Sequence, residues 1–211
     1  YPRNHYQKIY HPWTWAPLPL LAVSAPLFAE GYEVKIIDAN VEPDWMRLLV
    51  EESRDALLLG ISCMTGPQIY HGLEGARAVR EAGLKLPIIW GGYHPSILPE
   101  QTSQNRYVDA VVRGQGELTM LELAGRLSQG EDFTGVDGLT FTRDGETVSN
   151  PSRPVEDINN FPRLPYEKLD NPRQYLNSMH VGTRVINYVS SQGCPARCQF
   201  CAEPLVYGRQ W

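Results

Sequence analysis

Up to Gly130, apolar positions along the chain alternate between a helical and an extended rhythm. Leu18, Leu21, Ala22, Ala25 and Phe28 are spaced for one helix face, with Gly31 as the expected stop. Pro26 falls inside that helix and, lacking an N–H, should kink or shorten it. The alternation Glu33-Val34-Lys35-Ile36-Ile37 then predicts a strand ending at Asp38. A second helix is expected from Pro43, carrying Trp45, Leu48 and Leu49 inward, before the apolar run Ala56 to Ile61, which reads as a buried parallel strand. Ile69, Leu73, Ala76 and Val79 space a third helix that Gly83 can cap. Pro87 to Trp90 and Val108 to Val112 are further strands, and Leu118, Leu121, Ala124 and Leu127 mark a helix ending near Gly130. Strands separated by helices in this order predict an α/β fold with a doubly wound parallel sheet.

Beyond Gly130 the rhythm changes. Leu139 to Thr142 and Thr147-Val148 flank Asp144-Gly145, a dipeptide suited to a type I′ hairpin turn. The proline-rich stretch from Asn150 to Pro172 reads as an irregular connector draped over a surface. Three regions follow: a first domain over 1–132, a hairpin and connector over 133–182, and a region opened by a strand at about 183 that runs to 211.

In open parallel sheets, ligands bind outside the carboxyl ends of the strands. The strand-end loops are Asp38-Ala39-Asn40, Ser62-Cys63-Met64-Thr65-Gly66, Gly91-Gly92-Tyr93-His94-Pro95 and Arg113-Gly114-Gln115-Gly116-Glu117. Glycine lets a backbone approach a bulky ligand and leaves amides free to bind it, although paired glycines also serve ordinary turns and Glu117 suits a helix start. No G-x-G-x-x-G follows a first strand, which counts against a nicotinamide or flavin dinucleotide site. Trp90 and Tyr93 are assigned to the sheet core and the turn.

Chemistry enters with Cys194, Cys198 and Cys201, a C-x₃-C-x₂-C loop in the string GCPARCQFC. Three thiolates on one loop can hold three irons of a four-iron, four-sulfur cluster and leave one iron open to a small molecule. Cys63, the other cysteine, lies far upstream in an apolar stretch. Zinc also accepts Cys₃His, but the nearest histidine, His180, follows no finger spacing. With four cysteines in 211 residues and no signal peptide, a disulfide framework is disfavoured, and reduced thiols in a cytoplasmic protein are the expectation. A hydrophobic content of 42%, 20% charged residues and a net charge of −5 describe an ordinary globular chain. No basic run suggests nucleic acid, and no apolar stretch approaches the roughly 18–20 residues of a membrane span.

The segment Val185 to Cys201, VINYVSSQGCPARCQFC, resembles the first strand and cluster loop of radical S-adenosylmethionine enzymes, including the aromatic Phe200 before the third cysteine. Together with the order GYEVKIID, GISCMTG, WGGYHPSILPE and VVRGQGELT upstream, nearly the whole chain resembles the cobalamin-dependent members of that family. The resemblance implies a Rossmann-like, cobalamin-binding N-terminal domain, then the hairpin and linker, then the opening strand and cluster loop of a truncated (β/α) barrel. It implies that Ser62, Met64, Thr65, Gly91, Gly92, His94, Gly114, Gly116 and Glu117 line the corrinoid site, and that Cys194, Cys198 and Cys201 bind a 4Fe-4S cluster whose open iron is chelated by S-adenosyl-L-methionine. Its further implications are a small-molecule substrate and an external electron donor of the flavodoxin or ferredoxin type.

In that family, cleavage of S-adenosylmethionine gives a deoxyadenosyl radical that abstracts hydrogen from an unreactive carbon, and methylcobalamin then methylates it. A radical C-methyltransferase is therefore implied, with cyclisation or rearrangement as the alternative within the family. Cobalamin mutases and methionine synthase carry D-x-H-x-x-G, whose histidine replaces the lower axial base of cobalt; no D-x-H occurs here, so His94 is expected to line the pocket rather than bind cobalt. A radical enzyme that has lost its corrinoid, a non-catalytic corrinoid carrier and a receiver-like module are the competing readings. The chain starts at Tyr1 in the aromatic stretch YPRNHYQKIYHPWTWAP and stops ten residues after Cys201, which reads as a fragment. In that stretch Trp13 and Trp15 flank Thr14 and would share one surface, either against a corrin face or over a sheet edge.

Overall fold

The computed structural model describes residues 14–179 and 182–209, so the paired surface expected of Trp13 and Trp15 lies outside the described residues through Trp13. The helix–strand alternation forms as predicted in most of its parts. Helix α1 spans Leu18–Ala29, α2 Trp45–Glu52, strand β1 Leu59–Ser62, α3 Pro67–Glu81 and β2 Ile88–Gly91. Two short helices follow, α4 over Tyr93–Ile97 and α5 over Pro99–Ser103, then β3 over Ala110–Val112 and α6 over Glu117–Ser128. Gly31, Gly83 and Gly130, the predicted stops, sit at helix ends with positive φ.

Two expectations are corrected. Residues 32–38 carry no strand pairing, although their polar–apolar alternation is that of a strand. Ile36 instead packs with Leu169 and Tyr175, and Lys35 reaches Asp170 at 2.8 Å, so the segment's partners come from the connector and not from a neighbouring strand. Pro26 does not shorten α1, which continues to Ala29. Near the helix end a proline removes only the bond to the carbonyl four residues back, and the carbonyl of Pro26 itself still accepts the amide of Glu30 at 3.1 Å.

Strands β1, β2 and β3 pair in parallel, Leu59 opposite Ile88 and Ile89 opposite Ala110. The period-two alternation of their side chains divides the core into two layers. On one face Ile88, Trp90 and Val111 meet Ala76 and Val79 of α3 and Leu49 and Val50 of α2. On the other, Ile89, Ala110 and Val112 meet Met120 and Leu123 of α6 and Val23 of α1. Each such large apolar side chain contributes about 1.5–3 kcal/mol through burial. This is the doubly wound arrangement, with Trp90 in the core as expected.

The hairpin grouped with the connector from the sequence is hydrogen-bonded into the same sheet. Its strands β4, Leu139–Arg143, and β5, Glu146–Ser149, extend the order to β1-β2-β3-β4-β5, with β4 antiparallel to β3. Asp144 and Gly145 turn it at φ 52 and 82, the two positive values of a type I′ turn.

The connector does more than drape. Leu169 and Tyr175 are buried with Ala16 and Leu21 in a third core, and Leu164, Tyr166 and Ile186 pack on it. Two carboxamides clasp the chain's early residues into this core. Asn187 accepts the Ala16 amide at 2.8 Å and donates to its carbonyl at 3.1 Å, and Asn177 grips Thr14 in the same way, at 2.8 Å for both bonds. Strand β6, Asn177–Met179, then pairs antiparallel with β7, Gly182–Val185. Strand β7 begins where the cluster region was expected to open, but the parallel pairing of a (β/α) barrel is absent among the described residues. Residues 186–202 carry neither helix nor strand, and α7, Glu203–Val206, closes the described chain.

Candidate functional site at the carboxyl edge of the sheet

The strand-end loops of β1 and β2 are built against each other. Cys63 donates its amide to Gly91 at 3.0 Å and accepts from the His94 amide at 3.3 Å, while Thr65 Oγ1 lies 3.1 Å from His94 Nδ1. Gly92, at φ 91, sits where a β-carbon would stand 2.8 Å from the Cys63 carbonyl oxygen and 3.0 Å from Ser62 Oγ. Only glycine serves both that dihedral and that approach. Met64 and Thr65 face outward from this pair of loops, and Ser62, Gly91 and His94 are half-buried beside them.

The β3 loop is covered. Glu117 is only 6% exposed at the start of α6, and burial pushes its carboxyl above the usual range while its own amide, the Gly116 amide and the Gln192 side chain bind and partly restore the charged form. A β-carbon on Gly114 would stand 2.9 Å from the Val206 carbonyl oxygen of α7. Gly116 faces inward, toward Val112 and Val23, so its missing side chain serves helix-on-sheet packing. The residues allotted to the corrinoid thus divide into an accessible half at β1–β2 and a half at β3 lying beneath the cysteine loop. Asp38 belongs to neither, since its carboxylate accepts from Asn40 and from the Tyr175 hydroxyl.

The cysteine loop reaches this edge through residues that periodicity did not single out. Tyr93, expected in the turn, opens α4 and donates its hydroxyl to Glu203 Oε2 at 2.5 Å; Glu203 Oε1 accepts the Gly193 amide at 3.3 Å. Gln115 donates to Gln192 Oε1 at 3.0 Å and is itself oriented by Glu156, whose amide it accepts at 2.8 Å. The rings of Tyr93 and Tyr207 meet edge-on at 6.1 Å. Nothing in the sequence pattern marks Gln192 or Glu203, and Gln115 is distinguished only by standing between Gly114 and Gly116.

Cys194 is half-buried and Cys198 and Cys201 are exposed, all with free thiols. The donor set suits an iron–sulfur cluster in kind: three soft thiols on one irregular loop, with Cys201 donating its amide to the Cys198 carbonyl at 3.2 Å. The side chains do not converge, and among the described residues no group of three potential ligands is arranged for a metal ion. Cys63 is set apart, 1% exposed, its thiol pushed up to about 12 by burial. No described helix is long and apolar enough to cross a membrane.

The chain is 30% identical to the uncharacterized methyltransferase PH0819 of Pyrococcus horikoshii over 90% of its own length and 41% of that protein's. It is 28% identical to the anaerobic magnesium-protoporphyrin IX monomethyl ester cyclase of Synechocystis sp., over 92% of its length and 39% of the cyclase's. It therefore spans about two fifths of the length of these curated relatives. Among solved structures, the radical S-adenosylmethionine methyltransferase TsrM from Kitasatospora setae, with cobalamin and a [4Fe-4S] cluster bound, superposes with a TM-score of 0.70 at 24% identity, over 95% of this chain and 41% of that one. That likeness is one of fold. The profile of the B12 binding domain matches residues 12–124, a span that takes in all three parallel strands and each of the loops at their carboxyl ends. The chain belongs to the B12 binding domain family.

Proposed function

We propose that this chain supplies the corrinoid-binding domain and the cluster loop of a radical S-adenosylmethionine enzyme, most simply a C-methyltransferase acting on an unactivated carbon of a small molecule. The observation that carries this reading is the hydrogen-bonded seating of a C-x₃-C-x₂-C loop on the carboxyl edge of a B12 binding domain. A cluster with S-adenosylmethionine would supply a radical there, and the corrinoid a transferable methyl group. Cys194, Cys198 and Cys201 would hold three irons. Ser62, Met64, Thr65, Gly91, Gly92 and His94 would line the accessible half of the corrinoid site, with the backbone at Gly92 giving close approach. Gly114, Gly116 and Glu117 would support the other half from beneath the loop. Electrons would come from a flavodoxin- or ferredoxin-type donor. The similarity to PH0819 favours methyl transfer, and the similarity to the Synechocystis cyclase keeps ring closure as the second reading.

The test is anaerobic reconstitution of the chain with iron and sulfide in the presence of hydroxocobalamin. About four irons per chain are expected, lost in Cys198→Ala, together with one bound corrinoid retained in that variant. Full iron content in Cys198→Ala, or no corrinoid uptake, would overturn the reading.

A further inference from the structure

Two pairs of polar side chains join the cysteine loop to the sheet edge. In the first, the Glu203 carboxylate takes the Tyr93 hydroxyl on one oxygen and the Gly193 amide on the other. The bond from Tyr93 to Glu203 spans 110 positions, and Gly193 directly precedes Cys194. In the second, Gln115 of the β3 loop holds Gln192, whose side chain in turn binds Glu117. Both pairs are half-buried, and hydrogen bonds to a carboxylate in such a setting are roughly twice as strong as neutral ones. The backbone fits as well: Gly114 leaves room for the Val206 carbonyl to pass where a side chain would block it.

The loop residues with these contacts are the ones flanking the cysteines, Gln192 and Gly193 on one side and Glu203 on the other. The thiols themselves stay free. A loop held at both shoulders with its three thiols outside any disulfide is arranged to be placed before it is loaded. We propose that Glu203 and Gln192 are positioning residues that seat the cysteine loop on the corrinoid-binding edge, through Tyr93 and Gln115, so that the corrinoid domain itself sets where the cluster stands. This rests on the functional reading above only for the identity of the cluster; the seating belongs to the apo chain.

The test compares wild type with Tyr93→Phe, Glu203→Gln and the double variant. In the apo chain, amide exchange at Gly193 should speed up by about tenfold in each single variant and no further in the double, because each weakens the one chain of bonds that runs from the Tyr93 hydroxyl through the Glu203 carboxylate to the Gly193 amide. In the chain loaded with iron, sulfide and hydroxocobalamin and then reduced, iron content should be kept. The relaxation enhancement of cob(II)alamin by the reduced cluster, which reports their separation, should change. A purely structural role would leave that separation alone. Unchanged exchange at Gly193, or additive effects in the double variant, would overturn the proposal. Tyr93→Phe removes a single hydroxyl and keeps the measurement available if Glu203→Gln folds poorly. Failure of wild type to take up iron or corrinoid would instead count against the functional reading, with the Gly193 exchange still deciding the seating.

Discussion

A β-carbon on Gly92 would stand 2.8 Å from the carbonyl oxygen of Cys63 and 3.1 Å from its amide nitrogen, so these two residues fix how closely the β1 and β2 loops approach. Gly92 also holds φ 91 and ψ −167, a region open only to glycine.

Gly92→Ala should therefore combine backbone strain with a clash against main chain that cannot give way, a loss of about 2–4 kcal/mol in urea unfolding. Gly130→Ala is the control: φ is 76 but nothing lies within 4 Å of the added carbon, and strain alone should cost about 1–2 kcal/mol. Equal losses at the two sites would show that the approach of the loops is not tight.

Thiol reactivity should separate the four cysteines cleanly. Alkylation of the folded chain by iodoacetamide near neutral pH, counted by mass spectrometry, should label three thiols, with Cys63 modified only after denaturant is added. Burial both blocks access to Cys63 and raises its thiol to about 12, away from the reactive thiolate. Prompt labelling of a fourth thiol in the native chain would contradict that burial.

Alkaline pH should destabilise the chain. Burial raises Cys63 and Tyr207 to about 12 and moves Tyr93 and Tyr175 upward too, the last two next to the carboxylates of Glu203 and Asp38. All four are neutral when protonated, so the folded state binds protons more tightly than the unfolded one. Their contribution is whole below the unfolded values, about 9 for the thiol and 10 for the phenols, and falls as pH rises toward the folded ones. Thermal unfolding followed from pH 8 upward should show a midpoint that declines from about pH 9. A flat profile would mean that these groups titrate normally.

Arg113 joins the end of β3 to the hairpin and connector. Its guanidinium donates to the carbonyls of Leu139, Asn150 and Pro151, and desolvation pushes its pKa down with no carboxylate among those contacts. Arg113→Lys replaces a planar fork with one ammonium and should cost about 1–3 kcal/mol, with faster amide exchange in the hairpin. Unchanged stability would place the hairpin's anchorage elsewhere.

What could be read in advance follows how local each cause is. The run Ile88-Ile89-Trp90 specifies a strand buried on both faces, and Asp144-Gly145 specifies its turn, because those causes sit within a few residues. The segment 33–37 carries an equally good pleat pattern, but a strand exists only through a paired neighbour, and its partners turned out to be Leu169, Asp170 and Tyr175 in the connector. At the site, glycines and cysteines announce themselves by residue type. Tyr93, Gln115, Gln192 and Glu203 do not, because their meaning lies in contacts across as many as 110 positions.

The two carboxamide clasps tie residues 14 and 16 to partners 163 and 171 positions later. Contacts that distant close large loops, so they form late and slow the search for the native state. On a ribosome, all three parallel strands would emerge before Asn177 and Asn187 existed to anchor the segment entering α1. The corrinoid domain would wait, its third core unfinished, until the cysteine loop was about to be made. Synthesis order thus couples completion of the B12 binding domain's third core to the appearance of the cysteine loop.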